Sequence, residues 1–237
     1  MDKRNFLKIA LSSSAGMLSL KAYSNAVSPH VSLSNSILAN NKLSERTNSA
    51  ILSAGELKVY LNEINKLNLS LVEKANTTVF KPKNARSILI RKNQFSESIH
   101  ETACAYYNSK LFYRLIANKS NTEIPFTPLV ENIINSNYKN IDNLQQLLIE
   151  KANKMNEEFI WLTLNKHNLK FQLSGGKATH SSLSTERNCN NHLTAIAIDM
   201  RHETYSASYK NKQAYVKQVV ANLNWTLFNK RIERFIG

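Results

Sequence analysis

The sequence contains few glycines and prolines and no long apolar segment. With five glycines and four prolines among 237 residues, it has no glycine-rich phosphate-binding loop, and no nucleophile elbow or cysteine–histidine dyad is recognisable. No segment beyond the N-terminus approaches the roughly 20 apolar residues that a membrane-spanning helix needs. These absences argue against an integral membrane protein, a P-loop nucleotide-binding protein and a hydrolase with a nucleophile elbow.

Acidic residues are also scarce relative to basic ones. The chain has 31 lysines and arginines against 17 aspartates and glutamates, which gives a formal net charge of +14. A basic surface favours anionic partners such as nucleic acid or acidic envelope polymers. Because the sequence shows neither a zinc finger nor an RNA-binding motif that combines aromatic and basic residues, we do not expect nucleic acid as the partner. A basic module that binds an anionic polymer stays an alternative function.

The sequence has only two cysteines, Cys104 and Cys189. In an oxidising compartment they can pair as a disulfide, and two separate part-buried thiols are an equal alternative. His180, Cys189 and His192 lie in a polar stretch that could suggest zinc, but their spacing matches no standard pair of zinc ligands. We therefore expect a polar loop there.

The N-terminal residues 1–26 have the features of an export signal. Lys3, Arg4 and Lys8 precede a short apolar stretch, and Ser24-Asn25-Ala26 suits cleavage after Ala26. The segment KRNFLK resembles a twin-arginine signal with lysine in place of the first arginine, so either that route or general secretion is open. We expect a soluble bacterial protein that is periplasmic or otherwise exported. A frayed amphipathic N-terminus is the alternative.

The first half of the remaining chain has the pattern of two long helices. Residues 27–50 are rich in turn formers and predict a linker. Ser53 and Glu56 then have capping-box spacing before an amphipathic stripe, and Ser98 and Glu101 repeat this spacing before a second stripe that ends at Ile116. Residues 51–120 are therefore predicted to form an α-hairpin domain.

The second half, residues 121–237, mixes helical and strand patterns. Thr127-Pro128 predicts a helix start, and a second amphipathic helix follows. The segments EFIWLTL, LKFQL and LTAIAID read as three strands, and two further helices end the chain. The predicted fold class is α+β, with an N-terminal long α-hairpin followed by an α/β part that contains a three-stranded antiparallel sheet.

Five segments of residues 52–236 resemble, in order, motifs of the iron/manganese superoxide dismutases. LSAGELKVYLNEINKLNLSLVEKA resembles the family's first helix, S-A-x-T-L-x-x-H-x-x-x-H, and ETACAYYNSKLFYRLI resembles N-N-A-A-Q-H-Y-N-H-S-L-F-W. The remaining segments are MNEEFIWLTL, AIDMRHETYSASYKN and AYVKQVVANLNW. They retain the family residues Trp161, Leu162, Asp199, Tyr205, Tyr209, Asn211, Tyr215, Asn224 and Trp225. The resemblance implies the two-part fold of that family.

The resemblance also implies where a catalytic iron or manganese would be bound. Active members hold the metal with three histidines and one aspartate, and only the aspartate is retained, as Asp199. Tyr60, Ser109 and Glu203 occupy the three histidine positions, and a one-residue shift would put Lys110 in place of Ser109.

The last part of the motif is altered as well. His202 precedes Glu203, the reverse of the family's W-E-H, and Arg201 occupies the tryptophan position. In a helix, a shift of one residue rotates a side chain by about 100°. His202 therefore needs a register slip to act as a metal ligand.

These substitutions lead to three functional hypotheses. The favoured one is an exported dismutase-like protein that has lost its metal and serves as a structural or binding component of the envelope, with other envelope proteins or itself as partner. The second is an active or divergent iron/manganese superoxide dismutase in the periplasm, and the third is the polyanion-binding module. In the first hypothesis we expect no cofactor. Asp199 with Glu203 and Tyr60 as an oxygen-rich pocket for a hard cation is a further alternative.

Overall fold

The structure, a computed structural model, describes residues 49–79, 82, 84–116, 126–183 and 189–237, without the side chain of Cys189. These residues belong to one compact unit, Ser36–Gly237. The predicted export signal and most of the predicted linker lie outside the described residues. So does the boundary between the two predicted domains, and this division of the chain stays a prediction.

The two long predicted helices are present and pack against each other. Helix α1 spans Ala54–Asn76 and helix α3 spans Glu97–Ile116. They run antiparallel, because Lys74 near the end of α1 donates hydrogen bonds to Ser98 and Thr102 near the start of α3 at 2.9 and 2.8 Å. The predicted α-hairpin is therefore present.

The predicted N-terminal cap is correct for helix α1 and wrong for helix α3. Ser53 and Glu56 form the predicted capping box of α1. Helix α3 begins at Glu97, before the predicted cap Ser98, whose hydroxyl instead accepts the hydrogen bond from Lys74. The predicted start was therefore wrong by two residues, because Ser98 was expected to precede the helix. The short helix α2, Ala85–Ile90, and a 3-10 turn at Lys92–Gln94 lie between the long helices and were not predicted.

The C-terminal half contains the predicted mixture of helices and strands. Thr127 caps α4, and Pro128 lies in the first turn as predicted. The elements in chain order are α4 Pro128–Tyr138, α5 Ile141–Lys154, β1 Phe159–Asn165, β2 Phe171–Gly176, a 3-10 turn Cys189–Asn191, β3 His192–Asp199, α6 His202–Tyr205, α7 Lys212–Ala221 and α8 Trp225–Ile236.

The three strands form one antiparallel sheet in the order β2-β1-β3, and the predicted fold class is confirmed. All residues of β3 are buried, and β3 packs against α3 and α8. A strand buried on both faces is expected to be nearly continuously apolar, as LTAIAI is. Its last residue, Asp199, pairs with Phe159 at the start of β1, so this carboxylate is carried into the interior by the sheet.

Helices α1 and α7 both contact the sheet at the end of β3. The Asp199 carbonyl accepts a 2.6 Å hydrogen bond from the buried Tyr215 hydroxyl, which ties α7 to this strand end. The chain then turns immediately into the single-turn helix α6. Tyr60 of α1 and Asp199 of β3 are thereby brought into direct contact, although 139 residues separate them in sequence.

Candidate functional site

Asp199 is the centre of the candidate site. Its side chain is fully buried, and such a carboxylate needs hydrogen-bond donors or a cation to offset the loss of hydration. Tyr60 donates to its Oδ2 atom at 2.7 Å, and the backbone N–H of Arg201 donates to Oδ1 at 3.0 Å. Both carboxylate oxygens are therefore engaged by groups of the protein.

The Arg201 guanidinium provides the strongest of these contacts. Its Nη2 lies 2.6 Å from Asp199 Oδ2, and its Nε lies 3.1 and 3.2 Å from Oδ1 and Oδ2. The side chain is 16% exposed and its guanidinium carbon lies 5.7 Å from the centre of the Phe159 ring. Charge-assisted hydrogen bonds of this fork type are the strongest class in proteins. Asp199 and Arg201 form a mostly buried ion pair.

Two acidic side chains lie on the outer side of the same guanidinium. Glu63 of α1 accepts a hydrogen bond from Arg201 Nη1 at 3.0 Å, and Glu203 lies 4.0 Å from that nitrogen. Their side chains are 45% and 57% exposed. Such exposed contacts contribute little on their own, so the Asp199 contact dominates the electrostatics of Arg201.

Tyr60 and Ser109, at two of the positions implied for histidine ligands, are both buried. Tyr60 is buried, and its ring packs edge-on against Phe112 with centroids 5.7 Å apart. The Ser109 side chain is also buried, and its lowering effect on the pKa of Tyr60 puts it near that phenol. Two of the positions implied for histidine ligands therefore carry a buried phenol, which is bonded to Asp199, and a buried alcohol.

The other two candidate ligands point elsewhere. Glu203 is largely exposed and reaches the Arg201 edge of the cluster. His202 is exposed, and its ring contacts Tyr205 with centroids 5.5 Å apart. His202, the first residue of the single-turn helix α6, therefore has its imidazole at the surface.

The electrostatic environment keeps Tyr60 neutral and Arg201 charged. Burial raises the pKa of Tyr60 well above its ordinary value, and the nearby Asp199 charge raises it further. For Arg201, burial works against the charge, but the hydrogen bonds and charge of Asp199 outweigh it and the pKa is raised. Tyr60 thus acts as a hydrogen-bond donor and Arg201 as a permanent cation.

This set of side chains does not fit a redox iron or manganese ion. Such an ion prefers imidazole and carboxylate ligands, whereas the side chains bonded to Asp199 are a phenol and a guanidinium, and the Ser109 position carries an alcohol. A guanidinium has five N–H donors and no acceptor, so it cannot bind a metal. A metal cation at the Asp199 oxygens would also have to displace Arg201 or lie beside its positive charge.

The remaining predicted site residues are not part of this cluster. Cys104 is buried in α3, with Sγ 3.7 Å from Nδ1 of His100, and burial raises the pKa of its thiol to about 12. The side chain of Cys189 lies outside the described residues, so the disulfide stays a prediction. His180 is exposed and His192 is buried at the start of β3. Within the described residues, no three histidine, cysteine or acidic side chains are grouped as metal ligands.

The sequence prediction did not identify Arg201 and Glu63 as parts of the site. A usable signal was present for Arg201, because an arginine stands two residues after the retained acid where the resemblance implies tryptophan. A new cation beside a retained buried acid indicates charge compensation. Glu63 is one turn after Tyr60 on α1, and nothing in its local sequence distinguishes it from a solvated helix residue.

Comparison with known proteins agrees with the fold. A family model described as the C-terminal domain of the iron/manganese superoxide dismutases matches residues 127–231. This range includes the whole sheet, Asp199, Arg201 and Glu203, whereas Tyr60 and Ser109 lie outside it. No curated protein matches the chain. In the part of the chain that the structure describes, no helix is long and apolar enough to cross a membrane.

Proposed function

Because the chain belongs to the iron/manganese superoxide dismutase family through its C-terminal domain at residues 127–231, we propose that it keeps the fold without the chemistry. The protein acts as an exported structural or binding component of the cell envelope and does not dismutate superoxide. Fold and activity separate readily when the residues that carry the activity have changed.

The engagement of Asp199 by Arg201 is the observation that carries this proposal. Dismutation requires a metal that alternates between two oxidation states while the protein holds it. The one ligand position that keeps its family residue is bonded on both oxygens by hydrogen-bond donors, one of them cationic. Tyr60 and Ser109 provide no imidazole on the other side. The neutral phenol and the guanidinium together satisfy the carboxylate without an ion.

The direct test is elemental analysis of the purified full chain together with a superoxide dismutation assay on the same sample. We expect no stoichiometric iron or manganese and no activity above that of free buffer, in a sample whose circular dichroism shows a folded protein. Stoichiometric metal with dismutation would refute the proposal and identify the chain as an active, divergent dismutase.

A restoration variant makes this test sharper. The five substitutions Y60H, S109H, R201W, H202E and E203H rebuild the three histidines and the W-E-H order implied by the family. If the substituted positions are the reason for lost metal binding, this variant gains iron or manganese during expression while the native chain does not. A matched control with Arg201 left unchanged is expected to bind less metal, because the guanidinium still occupies Asp199. A folded restoration variant that binds no metal would contradict this explanation.

The envelope location is tested separately. Cells that express the chain are fractionated into cytoplasm, periplasm and membranes, with a K3Q/R4Q variant as control for the export signal. We expect the native chain in the periplasmic or envelope fraction in a shortened form, and the variant in the cytoplasm at full length. Full-length native protein in the cytoplasm would remove the envelope role. If the native chain is found in the periplasmic fraction, crosslinking in that fraction distinguishes self-association from binding to another envelope protein.

A further inference from the structure

The buried negative charge of the Asp199 carboxylate has to be balanced by a positive charge, whichever partner the protein binds. Asp199 is fully buried, and Tyr60 on its inner side stays neutral. In the part of the chain that the structure describes, Arg201 is the cation that ion-pairs with Asp199. An ionised carboxylate removed from water without a cation destabilises the folded state strongly.

We propose that Arg201 is the built-in counter-charge of this fold, in the place of the metal cation that the family uses. The proposal deepens the proposed function and rests on it. In a metal-dependent member, the charge that balances the aspartate arrives with the metal. Here the chain supplies it two residues after Asp199, so the folded state needs no ion.

The geometry favours this role over that of an ordinary surface ion pair. The two facing nitrogens of Arg201 lie within 3.2 Å of the Asp199 oxygens, and its side chain is only 16% exposed. The backbone N–H of Arg201 also donates to the same carboxylate, which fixes the local chain direction. The remaining nitrogen is directed toward Glu63 at the solvent boundary. The guanidinium therefore bridges the buried carboxylate and the surface.

A double-mutant cycle on the full chain tests the proposal. R201M removes the charge and keeps a side chain of similar length, and D199N removes the carboxylate while it retains an acceptor for Tyr60. Urea unfolding of the native chain, R201M, D199N and D199N/R201M gives the folding equilibrium constants. We expect R201M to lower this constant by about 200- to 5,000-fold, because it leaves a buried charge unpaired. In D199N/R201M most of that loss is recovered.

Arg231 offers a matched control on another part of the molecule. Its Nη2 donates to the Thr194 carbonyl at 2.7 Å and lies 3.4 Å from the Tyr107 hydroxyl, both neutral acceptors. R231M therefore removes a part-buried guanidinium without leaving a buried carboxylate. We expect a smaller loss than for R201M, and no recovery when D199N is added.

Each result of the double-mutant cycle either supports or overturns the proposal. If R201M does not fold, recovery of folding in D199N/R201M supports the proposal, and failure of both variants overturns it. Equal losses in R201M and D199N/R201M also overturn it, because the loss would then not arise from the unpaired carboxylate. Metal and activity in the native chain would refute the proposed function, whereas absence of coupling between positions 199 and 201 would refute only the role of Arg201.

Discussion

The hydrogen bond from Tyr60 to Asp199 gives the clearest quantitative prediction. The substitution Y60F removes one hydroxyl and leaves the ring in place, so the edge-on contact with Phe112 is retained. The bond is 2.7 Å long, and both partners are buried. Its loss leaves Oδ2 of Asp199 with the Arg201 nitrogens as its donors. The perturbation is therefore confined to one charged hydrogen bond.

The expected magnitude follows from the type of bond. A hydrogen bond to a charged group contributes about 1.5–3 kcal/mol to the free energy of unfolding. Because Arg201 still binds both oxygens of Asp199, we expect a loss of about 1.5 kcal/mol at pH 7. For a chain of this size, each 1 kcal/mol lowers the melting temperature by about 2–4 °C.

The pH dependence gives a second, independent readout. The raised pKa of Tyr60 means that the folded state keeps the phenol proton to higher pH than the unfolded state does. The stability that this residue contributes is therefore fully present below the ordinary tyrosine pKa of about 10 and is lost as the pH rises above it. We expect the stability difference between the native chain and Y60F to narrow above about pH 10.

The assay is urea unfolding of both proteins from neutral to alkaline pH, with Y209F as the matched control at neutral pH. The Tyr209 hydroxyl donates to the neutral carbonyl of Ile51 at 2.7 Å, so its loss is expected to cost less, about 0.5–1.5 kcal/mol. A Y60F protein as stable as the native chain would refute the reasoning. So would a stability difference that stays constant up to the most alkaline pH.

Three further predictions concern other parts of the molecule. A Cβ at Gly176 would lie 2.9 Å from the Trp161 ring, so G176A is expected to lower the free energy of unfolding by about 1–3 kcal/mol in urea unfolding. The control G55A in α1 has open space around its Cβ and is expected to raise stability by up to about 1 kcal/mol. Burial, with a smaller effect of a neighbouring positive charge, lowers the pKa of Lys110 to about 8. Competitive acetylation followed by mass spectrometry should show Lys110 half-reactive near that pH, well below exposed lysines, and an ordinary lysine profile would contradict this. The Cys104 thiol, with its pKa raised to about 12 by burial, should not react with a thiol reagent at pH 8 until the protein unfolds.

The elements of the fold could be predicted because their signals are local. The capping box at Ser53 and Glu56 and the proline after Thr127 mark helix starts within a few residues of chain. The apolar run before Asp199 marks a strand buried on both faces. At Ser98 the local signal put the start two residues late, because helix α3 already begins at Glu97 and the backbone N–H groups of Ile99 and His100 donate to the Ser96 carbonyl.

The candidate site likewise has features that the sequence predicts and features that depend on tertiary packing. The sequence was sufficient for the order of the longer helices and the three strands and, through the family resemblance, for the expectation that Tyr60, Ser109 and Asp199 lie near one another. The contacts of Arg201 with Asp199 and with Glu63 of another helix, and the exposure of His202, depend on the packing of elements that are distant in sequence. The direction of a side chain on a one-turn helix depends on the residues that pack around it. The ion-pair partner of a buried charge likewise depends on which opposite charge lies close to it in the folded chain.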